Sequence, residues 1–281
     1  MTALPQASRP VAAAGPAGGR AGFGHLLLTE WTKLRSVRST LWTLVVFAVV
    51  SWGLTWLLTW LTLRALDAGR RDARSSTVVT DPVGFILSTG LGLGQLAICV
   101  LGVLAISSEY SSGTIRASLL AAPRRLPMLA AKGTVFAALV FVVGEIVAFG
   151  AFYIGVAVVH SKFTVSLSQP GVTRAVIGTG LYLTVLGLFA LSLGTLIRHT
   201  AGGITAVIGL VLVIFPLTGL LPYSWGAHIH AYMPSVAGQL ITADRQQPGA
   251  LLTPWQGFGV FCAWTALLLI IGAFLLRRRD A

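Results

Sequence analysis

The sequence predicts an all-α integral membrane protein with six transmembrane helices. Three observations carry that expectation. The 281 residues are 55% hydrophobic and only 10% charged, with a mean hydropathy of +0.83. A soluble domain of this size carries roughly a quarter charged residues and could not cover its surface with so few. The apolar residues are also gathered into blocks long enough to cross a hydrocarbon layer of about 30 Å, at about 1.5 Å of rise per residue. Finally, the blocks lack the alternation over about ten residues that marks the strands of a membrane β-barrel.

Residues 1–24, rich in Ala, Gly, Pro and Arg and without an apolar segment, read as a disordered cytosolic tail. Residues 25–281 read as one membrane domain. Before the first span, HLLLTEWTKLRSVRST (25–40) places Leu27, Trp31 and Leu34 at i, i+4 and i+7, with Lys33, Arg35 and Arg38 elsewhere. That pattern suits a helix lying in the membrane interface, its apolar stripe in lipid and its cations among headgroups. Glu30, Trp31, Lys33 and Arg35 are its candidate functional residues. The alternative is a plain extension of the first span into water.

The spans are expected near 41–63, 83–106, 133–159, 175–197, 201–221 and 255–276. Only Arg198, His199 and Thr200 separate the fourth from the fifth, which predicts a tight helical hairpin. Gly180, Gly187 and Gly194 recur every seven residues on one face of the fourth span, and Gly90, Gly92 and Gly94 crowd the second. In lipid, small residues let helix backbones approach closely, so packing is the role expected of them. Pro216 removes a backbone donor inside the fifth span and is expected to kink it. The segment 221–254 is too long for a turn and too apolar for a free loop. With Pro222, Pro234, Pro248 and Pro254 interrupting it, it reads as short helices on, or dipping into, the outer face of the bundle.

The net charge of +12 comes from 20 Lys and Arg against 8 Asp and Glu. These charges flank the spans and form no continuous basic face, which points to membrane topology and anionic lipid and away from nucleic acid. Thirteen of the 20 basic residues fall on the side that carries both termini, so the bias places both termini in the cytosol. Arg64, Arg70, Arg71 and Arg74 run against it, offset in part by Asp67, Asp72 and Asp81. Cys99 and Cys262 both lie within apolar runs and read as small buried hydrophobes.

Catalytic signatures are missing from the chain. No lysine follows a glycine, so no P-loop exists, and no H-E-x-x-H helix or G-x-S-x-G elbow is present. His228 and His230 form an H-x-H without a third ligand nearby, and read as ordinary polar residues. Glu145, in the middle of the third span, is the one intramembrane acid. Two readings stay open for it: a substrate or gating contact, and a protonated side chain hydrogen-bonded to a neighbouring helix.

SSEYSSGTIRASLLAAPRRLPMLAAK (107–132) interrupts this apolar chain. Its order is an acidic residue, a short gap, Gly-Thr, a small apolar helix, Pro and basic residues. That order resembles the intracellular loop of the ABC-2 family of ATP-binding-cassette transporter permeases. Glu109, Gly113, Thr114, Leu119, Leu120, Pro123, Arg124 and Lys132 occupy the matching places. EWTKLRSVRST before the first span looks like the start of many bacterial permeases of that family, and LGTLIRHTAGG through LLPYSW and YMPSVAG looks like their fifth span and outer segment. Tyr110-Ser111-Ser112 departs from the charged residues often found after the acid.

The resemblance implies a six-span ABC-2 (type V exporter-like) permease bundle with an N-terminal interfacial helix. It implies a transporter subunit, not an enzyme, without a cofactor of its own. ATP would be hydrolysed on two copies of a separate ATP-binding subunit that push on the 107–132 lever. A second permease subunit, identical or similar, membrane lipid, a bacterial plasma membrane location and export are implied likewise. An ion-gradient-driven transporter using Glu145 and a non-transporting membrane scaffold remain as rivals.

Overall fold

The hydropathy blocks become helices almost residue for residue. The computed structural model describes residues 22–70, 72–111, 125–246 and 249–278. It is 86% helix, with no strand among the described residues. In chain order these are α1 (Phe23–Ser36), α2 (Arg38–Asp67), α3 (Ala73–Thr80), α4 (Pro82–Ser111), α5 (Arg125–Val159) and α6 (Val172–Ile197). Then follow α7 (Thr200–Leu220), α8 (Tyr223–Ala231), α9 (Pro234–Gln239) and α10 (Pro254–Arg278). Six of them, α2, α4, α5, α6, α7 and α10, are long and apolar enough to cross a membrane, the mark of a multi-pass membrane protein. Successive spans run in opposite directions. One end of the bundle therefore carries α1, the end of α4 and the start of α5, and the far end carries α3, α8 and α9.

α6 is the central helix, packed against α4, α5, α7 and α10. Its glycines let those neighbours in. Gly187 faces Phe136 and Ile98, and Gly194 faces Val103 and Ile106. Gly102 of α4 sits so close that a Cβ there would lie 2.5 Å from the carbonyl oxygen of Gly187. Tyr182, Leu186, Phe189, Phe136, Ile98 and Phe261 fill the core around this helix. Small residues thus set helix separation, and large ones fill what remains.

α2 is apolar outside and hydroxylic inside. Ser51, Thr55, Thr59 and Thr62 share one buried face, while Trp42, Val45, Val49 and Trp56 are exposed. The hydroxyls of Thr55 and Thr62 donate back to the carbonyls of Ser51 and Leu58 at 2.9 and 2.8 Å, so they enter the packed face already satisfied. Gly90 and Gly94 of α4 stand opposite Thr55 and Ser51. Gly92, by contrast, faces open space.

Three details differ from the sequence expectation. The polar stretch 107–132 is helical at both ends, because α4 runs on to Ser111 and α5 starts at Arg125. Hydropathy registers where a chain loses its oil; Ser, Glu and Lys do not stop a helix. The chain is already helical from Phe23, inside the expected tail, and residues 1–21 lie outside the described residues. The fifth span also holds, just before Pro216, a π-helical stretch, Gly209–Ile214, in which the N–H of Phe215 reaches back to the carbonyl of Leu210, a feature the sequence did not announce.

The expected short helices of 221–254 are present. α9 and the 3₁₀ turn Leu240–Thr242 dip between α6 and α10, burying Ala237 and Ile241. The hairpin between α6 and α7 turns at Arg198, held left-handed at φ 57°, and His199 Nδ1 caps α7 by accepting from Gly202 N at 3.1 Å.

Candidate functional site

α1 ends at Val37, whose extended φ and ψ of −83° and 108° break it from α2. It is therefore a separate helix, and it packs on α5. The packed face is centred on a charge. Glu30 is 3% exposed and Lys132, in the first turns of α5, is 4% exposed. Lys132 Nζ donates to Glu30 Oε2 at 2.6 Å, and Lys33 Nζ donates to Oε1 at 2.8 Å. Burial alone would raise the Glu30 carboxyl, but the ammonium groups of Lys132 and then Lys33 outweigh it and hold the carboxyl below its ordinary value. A buried carboxylate bridging two lysines ties α1 to the foot of α5.

Leu27 and Leu34 flank Glu30, both half-buried, whereas Trp31 is 45% exposed and Arg35 exposed. The expected stripe is thus turned: its two leucines reach the bundle and its tryptophan does not. Lys33, expected away from the stripe, reaches back to it. Periodicity could not show this, because Glu30 is tolerated inside only by a cation far along the chain.

Of the loop residues singled out by sequence, Lys132 is the one whose side chain is placed. Glu109 lies in the last turn of α4, and Gly113, Thr114, Leu119, Leu120, Pro123 and Arg124 fall outside the described residues. A cavity of about 410 Å³ lies beside the tie, lined by residues of α1, α2, α4 and α5 that include Glu30, Lys33, Thr40, Leu104, Ser108 and Lys132.

Glu145 points from α5 into a notch made by Gly180 of α6, where any Cβ would collide with the carboxyl group. Both carboxyl oxygens are buried, and neither has a hydrogen-bond partner among the described residues. The residue does not line the two large cavities. A second cavity, of about 610 Å³, opens between α2, α3, α4 and α7. Leu54, Leu58, Leu93, Leu212, Ser88, Thr89 and Arg74 are among the residues that line it.

Two polar clusters went unseen in the sequence. In the first, the buried Tyr182 hydroxyl donates to the buried Gln95 Oε1 at 2.8 Å and accepts from the exposed Gln239 Nε2 at 3.2 Å, joining α4, α6 and α9 at the edge of the core. In the second, at the far end, Arg174 Nη2 donates to the carbonyls of Ala243 and Asp244 at 2.8 and 2.9 Å. Gly171 holds φ 85° where any Cβ would collide with the Asp244 carbonyl, so the loop docks only over a glycine. The Asp244 carboxyl, 8% exposed, is pushed up to about 6 by burial and by the neighbouring Asp81. Lone Gln, Tyr and Arg residues within apolar runs were the signal available.

His228 Nδ1 is bonded to the Ser224 carbonyl and His230 Nδ1 to the Thr218 hydroxyl. Among the described residues no group of three His, Cys, Asp or Glu gathers that could hold a metal ion. Compared with known proteins, the chain matches no family model and no curated sequence.

Proposed function

We propose that this chain is the membrane-spanning subunit of an ATP-binding-cassette transporter of the ABC-2 kind. It would be an exporter of the bacterial plasma membrane, with both termini in the cytosol. The observation that carries the reading is the buried Glu30–Lys132 tie. It fastens α1 to the end of the 107–132 stretch, in the first turns of α5, so a push on that stretch would move α1, α4 and α5 together. A partner's binding energy at that end then shifts the equilibrium of the bundle. ATP is bound and split on two copies of the partner, in keeping with a sequence that holds no P-loop. The open 610 Å³ groove between α2 and α7 suits a path completed by a second permease subunit, identical or similar.

The test is affinity purification of the full chain from its native membranes, with ATPase activity read on the complex. An ATP-binding-cassette subunit should come with it, and Glu109→Ala with Gly113→Pro should uncouple its ATPase from transport. A chain that purifies without any ATPase, or transport that survives both changes, removes the reading.

One observation favours a second reading. Glu145 keeps two buried oxygens in mid-span without a hydrogen-bond partner among the described residues, as a proton-carrying site of an ion-driven transporter would. Transport that persists without ATP and collapses with the proton gradient would select it.

A further inference from the structure

At the far end of the bundle two acids meet in a place where an ion pair would be expected. Asp244 lies in the loop after the 3₁₀ turn Leu240–Thr242 and is 8% exposed. Its Oδ1 is buried and has no hydrogen-bond partner among the described residues. Facing it is Asp81, the residue between α3 and α4. Asp81 Oδ1 accepts from Gly84 N at 2.7 Å and so caps α4.

The cations nearby are turned elsewhere. Arg174 of α6 uses Nη2 on the carbonyls of Ala243 and Asp244, and its Nε reaches no acceptor among the described residues. Arg245 Nε lies 3.6 Å from Asp244 Oδ2, longer than a hydrogen bond, and its side chain is 76% exposed, where water screens it. Gly171 pins the backbone that carries Asp244, since any Cβ there would collide with the Asp244 carbonyl. Two facing carboxyl groups in such a site cannot both ionise without strong repulsion, and they hold one proton between them. An O–H on Asp244 answers its idle oxygen, with Asp81, already the acceptor for Gly84, supplying the lone pairs. Asp244 accordingly titrates well above its ordinary 3.8, at about 6.

We propose that Asp244 and Asp81 form a proton-sharing clasp, closed while the Asp244 O–H donates to Asp81 and opened by the repulsion of two carboxylates once that proton leaves. The clasp joins the 240–246 segment to the corner where α3 turns into α4. Ala73, Arg74 and Thr77 of α3 line the 610 Å³ cavity, so α3 is a cover whose freedom follows the pH at the far end. This goes beyond the transporter reading and does not depend on it, since the chain alone should show it.

The experiment is hydrogen exchange of the detergent-purified full chain, read by mass spectrometry from about pH 5 to about pH 8 and corrected for the intrinsic rate at each pH. Peptides covering α3 and 240–246 should lose protection about tenfold, stepping near the Asp244 value of about 6. Asp244→Asn, whose amide donates at every pH, should keep both peptides protected at about pH 8. Asp81→Asn retains a capping side chain at the start of α4 and should also remove the step, so it decides alone if Asp244→Asn does not fold. Equal protection across the pH range, or a step near 6 that survives Asp244→Asn or Asp81→Asn, would overturn the proposal.

Discussion

Glu30 and Lys132 stand 102 residues apart in sequence and 2.6 Å apart in space, both almost wholly buried. Two charges are seldom taken out of water unless each has the other, so the contact fixes the position of α1 on the bundle. A double-mutant cycle with Glu30→Gln and Lys132→Met should give a coupling of about 0.5–3 kcal/mol in thermal or denaturant unfolding. The pH dependence has a definite sign. Glu30 titrates below its ordinary 4.5, so its contribution is complete above that value and is lost as pH falls through the lower folded value. Hydrogen exchange in α1 should therefore rise on acidification, and Glu30→Gln should abolish that rise.

Helix separation in the core depends on particular glycines. Gly102→Leu forces a side chain into the carbonyl of Gly187 and the Cβ of Ala190, at 2.5 and 2.8 Å for the first carbon alone. Backbone cannot step aside as a flexible side chain can. A loss of at least about 1–3 kcal/mol is expected, seen as a lowered melting temperature. Gly92→Ala meets nothing within 4 Å and, inside a helix, should hold melting or raise it slightly.

Tyr182→Phe keeps the ring among Phe261 and its neighbours and deletes only the hydroxyl. Gln95 Oε1 then loses its partner inside the core, and Gln239 Nε2 loses the contact that holds it to α6. The expected cost is about 1–3 kcal/mol in unfolding. Proteolysis of the 221–254 segment should quicken, because α9 is held through Gln239.

Asp244 makes the stability of the far end fall as mild acid is neutralised. Asp81 faces its carboxyl, Arg245 Nε lies 3.6 Å from it, and Arg174 grips its backbone. Burial and Asp81 raise it from an ordinary 3.8 to about 6, so the folded form holds a proton that the unfolded form releases. Stability should fall as pH rises from about 4 to above 6, and Asp244→Asn should flatten that part of the melting profile.

Much of the fold was legible because lipid imposes a simple rule: spans must be long, apolar and helical. The six blocks, the Arg198 hairpin, the facing of Gly187 and Gly194 and the short helices of 221–254 all follow from it. The inner face of α2 was not legible. Ser51, Thr55, Thr59 and Thr62 look like scattered polar residues until one sees that lipid turns a helix inside out and sends hydroxyls to the packed side. The choice of Lys132 as partner for Glu30 and of Gln95 and Gln239 for Tyr182 was hidden as well, since pairing across helices depends on register, which no local pattern encodes. Glu145 was visible as a buried acid, but its notch at Gly180 required the α5–α6 register.

The central claim is that this bundle is worked by a separate ATPase through residues 107–132. A photo-crosslinking side chain placed at Arg116 in the full chain, irradiated in native membranes, tests it most directly. The expected product is a covalent adduct with an ATP-binding-cassette subunit whose yield changes when ATP is added. Adducts with lipid or with a second copy of the chain alone, whatever the nucleotide, would contradict it.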